Sequence, residues 1–109
     1  MHAVILADAI RQLDESNRCY AQFLNMGTMS VGVYRLVAGS IDRQQPHDED
    51  EVYIIQSGRG VIEVAGEQQA VGPGDAIFVG AGIEHRFVDI TETLTMHVIF
   101  APEHMAPAS

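Results

Sequence analysis

Lysine is absent from this sequence, which removes any mechanism that needs a Schiff base to a side-chain amine. The basic residues are all arginine, 6 of them against 15 acidic residues, for a net charge of −9. A chain this acidic repels phosphate backbones, so nucleic acid is not an expected partner. Cysteine is nearly absent too, and Cys19 stands alone. One thiol cannot staple its own chain or build a thiolate cluster, so Cys19 reads as a small buried hydrophobe. Long apolar runs are also missing. Met1-His2-Ala3-Val4-Ile5-Leu6 is too short for a signal-peptide core with its basic flank. No stretch approaches a membrane span. A cytoplasmic protein with no membrane partner is the expectation.

What remains is 109 residues, 47% hydrophobic and 19% charged, enough for one domain around one core. Leu6, Ile10 and Leu13 recur at the spacing of one helix face, and Ser16-Asn17 breaks it. From Arg18 onward the texture changes to short β-like runs separated by turn residues. Candidate strands are 19–24, 29–38, 52–55, 61–64, 69–71, 76–79, 85–88 and 94–100. Ala65-Gly66-Glu67 reads as a hairpin turn and Gly72-Pro73-Gly74-Asp75 as a strong turn. Many short strands at this spacing point to an all-β sandwich or barrel. The expected organisation is a single domain over residues 1–109. Residues 1–17 form an N-terminal extension with a short helix, 18–100 a barrel, and 101–109 an extended tail.

The chemistry-bearing residues lie in two stretches. On a strand, Gln45 and His47 point to one face, and Glu51 opens the next strand with Tyr53 and Ile55 on its own face. A strand pair joined this way brings His47 and Glu51 to one wall. His85 follows the flexible Gly80-Ala81-Gly82, and a barrel can carry it opposite that wall. Two imidazoles and a carboxylate suit one divalent transition metal and leave positions open for chemistry.

These stretches resemble the paired motifs of the cupin superfamily. Gly39, Gln45, His47, Glu51 and Gly58 follow the spacing of the first, and Gly74, Gly80, Gly82, His85 and Asp89 that of the second. The resemblance spans roughly residues 31 to 100. It implies a small cupin-type β-barrel (a double-stranded β-helix or jelly roll) with Fe, Mn, Ni or Zn in its mouth. His47, Glu51 and His85 carry over directly as ligands. Three positions depart from the pattern: Gln45 stands for a His, Gly80 for a Pro and Asp89 for an Asn. Gln45 has three roles open to it: ligand, partner of the ion through a water, or substrate contact.

The remaining candidates each carry two readings. Glu49 belongs to a solvated acidic loop with Asp48 and Asp50, or is a backup ligand if the register slips. Tyr53, Phe78 and Phe87 either line a pocket or pack the core, as do Tyr34 and Met29. His97 is a proton shuttle or fourth ligand if it faces the cavity, and otherwise an edge histidine. Tyr53, His97 and Glu49 are the candidate bases. His2 and His104 lie near the termini and read as unstructured. The functional expectation is a metal-binding cupin acting on a small molecule, an oxidoreductase of dioxygenase type. A metal-dependent isomerase or lyase is the alternative, as is a non-catalytic shell for a small ligand or sugar. Related cupins are often homodimers, so a homodimer that covers its edge strands is expected.

Overall fold

The computed structural model describes residues 1–104. Among them lie one helix, α1 (Leu6–Ser16), and six strands. The strands are β1 (Tyr20–Asn25), β2 (Ser30–Leu36), β3 (Asp50–Val64), β4 (Glu67–Val71), β5 (Ala76–Val79) and β6 (His85–Ala101). The fold is all-β with one short helix, as its sequence pattern implies, and every strand pairing is antiparallel.

Two pairs of candidate strands fuse. Residues 52–55 and 61–64 belong to one 15-residue strand, and 85–88 and 94–100 to one of 17 residues. Ser57-Gly58 therefore bends a strand instead of ending it. The register of β3 on β6 shifts three times between Ile55 and Val61. Gly58 sits at φ 92°, and a Cβ there would lie 2.1 Å from the Thr93 carbonyl oxygen. Only glycine accepts both the backbone angle and that approach.

The bend makes a barrel. The first half of β3 lies between β5 and the second half of β6, with β2 and β1 beyond. Its second half lies between β4 and the first half of β6. Two sheets thus share two bent strands and face one another. Tyr53, Ile55, Ile62, Phe87, Leu94, Met96 and Val98 fill the space between them, each at most 2% exposed. The β3–β4 hairpin turns through Ala65 (φ 49°) and Gly66 (φ 86°), the paired positive angles of a type I′ turn.

Helix α1 ends at Asn17, in the left-handed region at φ 62°. Its Ala9 and Leu13 pack with Val33 against the outer face of the β1–β2 sheet. Its apolar stripe is thereby covered by its own barrel. Cys19, expected to be buried, is exposed, because it lies in the connection between α1 and β1. No described helix is long and apolar enough to cross a membrane.

Candidate metal centre

Glu51 is the second residue of β3 and points into the barrel with Tyr53 and Ile55. His85 opens β6 opposite Val64, at the other end of β3. On a straight strand the 13 steps from residue 51 to residue 64 would span roughly 43 Å, at about 3.3 Å each. In the bent barrel Glu51 Oε1 and His85 Nε2 are 2.6 Å apart. The bulged corner around Gly58 therefore positions the site as well as the fold.

His47 comes from irregular chain rather than a strand, since residues 41–49 lie outside any strand. Backbone bonds replace the ladder there. Gly82 N–H donates to the His47 carbonyl at 2.7 Å, and Ala81 N–H donates to Asp50 Oδ1 at 2.8 Å. These bonds tie the two motif loops together. Asp50, read as a solvated loop charge, is one of the ties. His47 Nε2 then lies 3.9 Å from Glu51 Oε2, and the His47 and His85 rings are 5.4 Å apart. One donor atom from each of His47, Glu51 and His85 falls within 4.8 Å of the others.

The donor set fits a divalent ion. Glu51 is 2% exposed and His85 5%. Glu51 Oε2 and His85 Nε2 are buried without a hydrogen-bond partner, and His85 Nε2 lies 2.6 Å from the other carboxylate oxygen, Oε1. Unpartnered buried polar atoms are costly, and here they converge. His85 Nδ1 lies 2.9 Å from the Ile83 carbonyl, which accepts only from a protonated nitrogen and leaves Nε2 as the donor to an ion. Burial opposes charge on His85, but the Glu51 carboxylate and the Ile83 carbonyl outweigh it, so its pKa is raised. Burial dominates at His47, which is pushed down despite Glu51.

Around the trio, the sequence reading and the structure diverge at Gln45. That side chain is exposed. The amide at the cluster belongs to Gln44, whose Oε1 lies 3.5 Å from His47 Nε2 and accepts from the Tyr53 hydroxyl at 2.7 Å. The two-residue alternation that aimed Gln45 inward holds only on a strand, and the chain here is not one. Tyr53 Oη is also 3.1 Å from Glu51 Oε1. Tyr53 is fully buried, and burial together with Glu51 raises its pKa well above the ordinary value. It is a hydrogen-bond donor, not a base.

Sequence reasoning missed Asp42 entirely. It is 4% exposed and accepts from Tyr34 Oη, Phe87 N–H, and both Gln44 N–H and Nε2. It fastens the loop to the barrel wall and aims Gln44. No periodicity or motif marks it.

The other candidates are dispersed. His97 alternates with buried Met96 and Val98 and therefore faces out of the barrel, where it meets Gln56 at 2.7 Å. Glu49 is held by His104, 2.6 Å from Oε1 to Nδ1. His104, read as part of an unstructured tail, is docked. Its N–H donates to buried Ser30 Oγ, and its ring stacks on Phe100 at 4.3 Å. His47, Glu49 and His104 also satisfy the 4.8 Å distance test. In that group Glu49 and His104 are already hydrogen-bonded and no atom is orphaned, so the inner trio is the better ion site. Phe87 packs edge-on against Tyr53 in the core, whereas Phe78 is 64% and Met29 45% exposed. Asp89 takes φ 47°, a left-handed angle that Asn and Asp tolerate best, so its exchange for Asn keeps the turn.

This arrangement, a bent antiparallel barrel with two histidines and a glutamate converging inside it, is that of a cupin. The cupin domain family model matches residues 32–102, and the chain belongs to that family. It is similar to the uncharacterized protein SCO3923 of Streptomyces coelicolor, 47% identical over 83 residues, 76% of this chain and 79% of that one. Among solved structures, a Rhizobium leguminosarum protein of unknown function matches with TM-score 0.78 and 24% identity, covering 94% of this chain and 97% of that one. KdgF from Halomonas matches with TM-score 0.72 and 17% identity over 79% of each chain. These structural likenesses establish the fold.

Proposed function

We propose that this cupin holds one divalent transition metal through His47, Glu51 and His85 and acts on a small organic molecule by oxidoreductase chemistry of dioxygenase type. The observation that carries the metal reading is that Glu51 Oε2 and His85 Nε2 are buried and unpartnered on side chains that meet inside the barrel, His85 Nε2 lying 2.6 Å from Glu51 Oε1. Two imidazoles and a carboxylate leave about three positions of an octahedral ion free for substrate and a co-reactant. When bound, an ion of the iron class supplies redox chemistry with dioxygen.

The protein's own residues orient and insulate. The Ile83 carbonyl fixes the His85 tautomer, Tyr53 steadies Glu51, and Asp42 aims Gln44 at His47. The choice of reaction follows from what the site does not offer. Isomerase or lyase chemistry needs a base beside the substrate. Of the candidates, Glu49 is engaged by His104, Tyr53 is held protonated, and His97 faces the other side of the sheet. Oxidation of a substrate oriented on the ion makes no such demand.

The test is to purify the untagged protein, measure its metal, and reconstitute it anaerobically with Fe(II). Stoichiometric iron in the wild type, lost in His85→Ala, with oxygen uptake on dihydroxy or dicarbonyl compounds is expected. Full iron occupancy with binding but no oxygen uptake would favour the ligand-binding shell. A preparation that takes no metal would remove the reading altogether.

A further inference from the structure

A cavity of about 520 Å³ opens beside the trio, bordered by His47 and Gln44, within the usual size range of small-ligand sites. Its character is set by Tyr20, Tyr34, Phe100, His104, Leu36 and Val98. Four of these six side chains are rings that already meet edge-on or stacked: Tyr20 with Tyr34 at 6.2 Å, Tyr20 with Phe100 at 6.4 Å, and Phe100 with His104 at 4.3 Å. Such walls reward a flat apolar body. A sugar would lose its hydration against them with few groups to replace it.

Of the polar groups that interrupt the wall, Ser40, Gln44 and His47 among them, two features bear most on the ligand. Tyr20 Oη is buried and has no hydrogen-bond partner. Its ring lies so close over Gly32 that a Cβ there would come within 2.4 Å, so the hydroxyl is held in place by shape. Burial, with Glu51 and Glu49 adding, pushes its pKa up to about 12, so it stays a donor. The second feature is charge. Although the chain carries 15 acidic residues, none lines this cavity, whereas Arg43 and Arg35 do. Arg35 is paired with Asp14, but Arg43 forms no ion pair among the described residues. The unpaired Arg43 favours an anion, against the opposing charge of Glu51 and Glu49 felt at Tyr20.

We infer that the cavity binds an apolar, ring-sized monocarboxylate, with the Tyr20 hydroxyl donating to one of its oxygens and Arg43 supplying countercharge. This deepens the metal-enzyme reading by narrowing its dihydroxy and dicarbonyl candidates to those built on an apolar ring with a single carboxylate, and it rests on that reading for the claim that the bound molecule is turned over.

The test is calorimetric titration of metal-free and zinc-loaded protein, with metal content measured on the same samples. The probes are 2-naphthoate, its neutral methyl ester and gluconate. Naphthoate is expected to bind both forms, the ester more weakly, and gluconate not measurably. Tyr20→Phe should weaken naphthoate about fivefold, the size of one lost hydrogen bond. Its thermal midpoint should hold or rise, because the deleted hydroxyl is unpaired in the free protein. Arg43→Gln should weaken naphthoate about threefold and flatten its salt dependence. Gluconate binding as tightly as naphthoate, or unchanged naphthoate affinity in Tyr20→Phe, would overturn the inference. Poor zinc uptake with intact naphthoate binding would count against the metal reading alone.

Discussion

Replacing Glu51 with glutamine should move the metal-free and metal-loaded proteins in opposite directions. In the free protein the carboxylate is 2% exposed, with one oxygen unpartnered and the other accepting from Tyr53 Oη beside His85. Burying an amide of the same shape costs less than burying that charge, so at a pH above the raised His85 value, where the two form no ion pair, the metal-free variant should melt at or above the wild type. With metal the order reverses. At a free ion concentration of about 100 times Kd, ligation stabilises the wild type by about 2.7 kcal/mol. For a domain of this size each kcal/mol moves Tm by roughly 4–8 °C, giving a rise of about 11–22 °C. Losing the anionic ligand should weaken the site at least about 100-fold, beyond what loss of a supporting residue costs. At the same concentration the variant then gains only about 0.4 kcal/mol, or about 2–3 °C. Thermal melts across a zinc titration, with bound metal measured on the same samples, read both effects. A metal-free Glu51→Gln that collapses would mean the carboxylate is structural. A variant that keeps the full zinc shift would mean the ion sits elsewhere.

Four further outcomes are expected. An ion must displace the proton from His85, whose pKa is raised, while His47, pushed down, is already neutral over most of the range. Apparent affinity should therefore be flat above the raised His85 value, fall tenfold per pH unit below it with one proton released, and steepen below the His47 value; a pH series of metal competition titrations reads this, and a flat profile through neutrality refutes it. In the metal-free protein the His85 contribution to stability is complete below the ordinary imidazole value of about 6.5 and is lost as pH rises through the raised one, so urea midpoints should drop across that window. Tyr53→Phe removes the hydroxyl that touches Glu51 and Gln44 and should lower metal affinity about 10- to 100-fold, read by the same competition titration. Asp42→Asn should cost about 2–3 kcal/mol in urea unfolding, because a carboxylate accepting from three residues becomes an amide that must turn a donor toward one of them.

Sequence legibility followed backbone regularity. Glu51, Tyr53 and Ile55 lie on a true strand, and their inward alternation could be read before any coordinates. His97 could be read as far as its alternation with Met96 and Val98, but which face was inner depended on the barrel. Strand ends were misjudged where Ser57-Gly58 bends the chain, since turn residues and bulge residues look alike in one dimension. Two-residue alternation aims Gln45 inward but holds only where a ladder enforces it, and residues 41–49 have none, so the amide that reaches His47 is that of Gln44, which the sequence does not mark. Asp42 and Tyr20 left no local trace. Their roles arise from what other parts of the chain bring to them, Phe87 N–H in one case and Gly32 in the other.

The polar atoms inside this barrel divide into two kinds, and the division separates structural from functional residues. Asp42 is as buried as Glu51, yet three residues supply it with donors, so its charge is spent on holding a loop. Glu51 and His85 sit together with one atom each unsatisfied, a state that folding alone gives no reason to keep. Tyr20 repeats the pattern one step outward, an unpaired hydroxyl on the wall of a cavity otherwise lined largely by rings and aliphatic groups. If each deficit is filled by a ligand, the barrel is complete only when loaded: a cation for the inner pair, an oxygen of the bound molecule for the phenol. His47 and Gln44 border both the cavity and the inner trio, so the two spaces adjoin. An ion bound first would add positive charge to the floor of the cavity. It should therefore strengthen binding of the anionic probe more than that of its neutral ester, a coupling that works equally in the reverse direction.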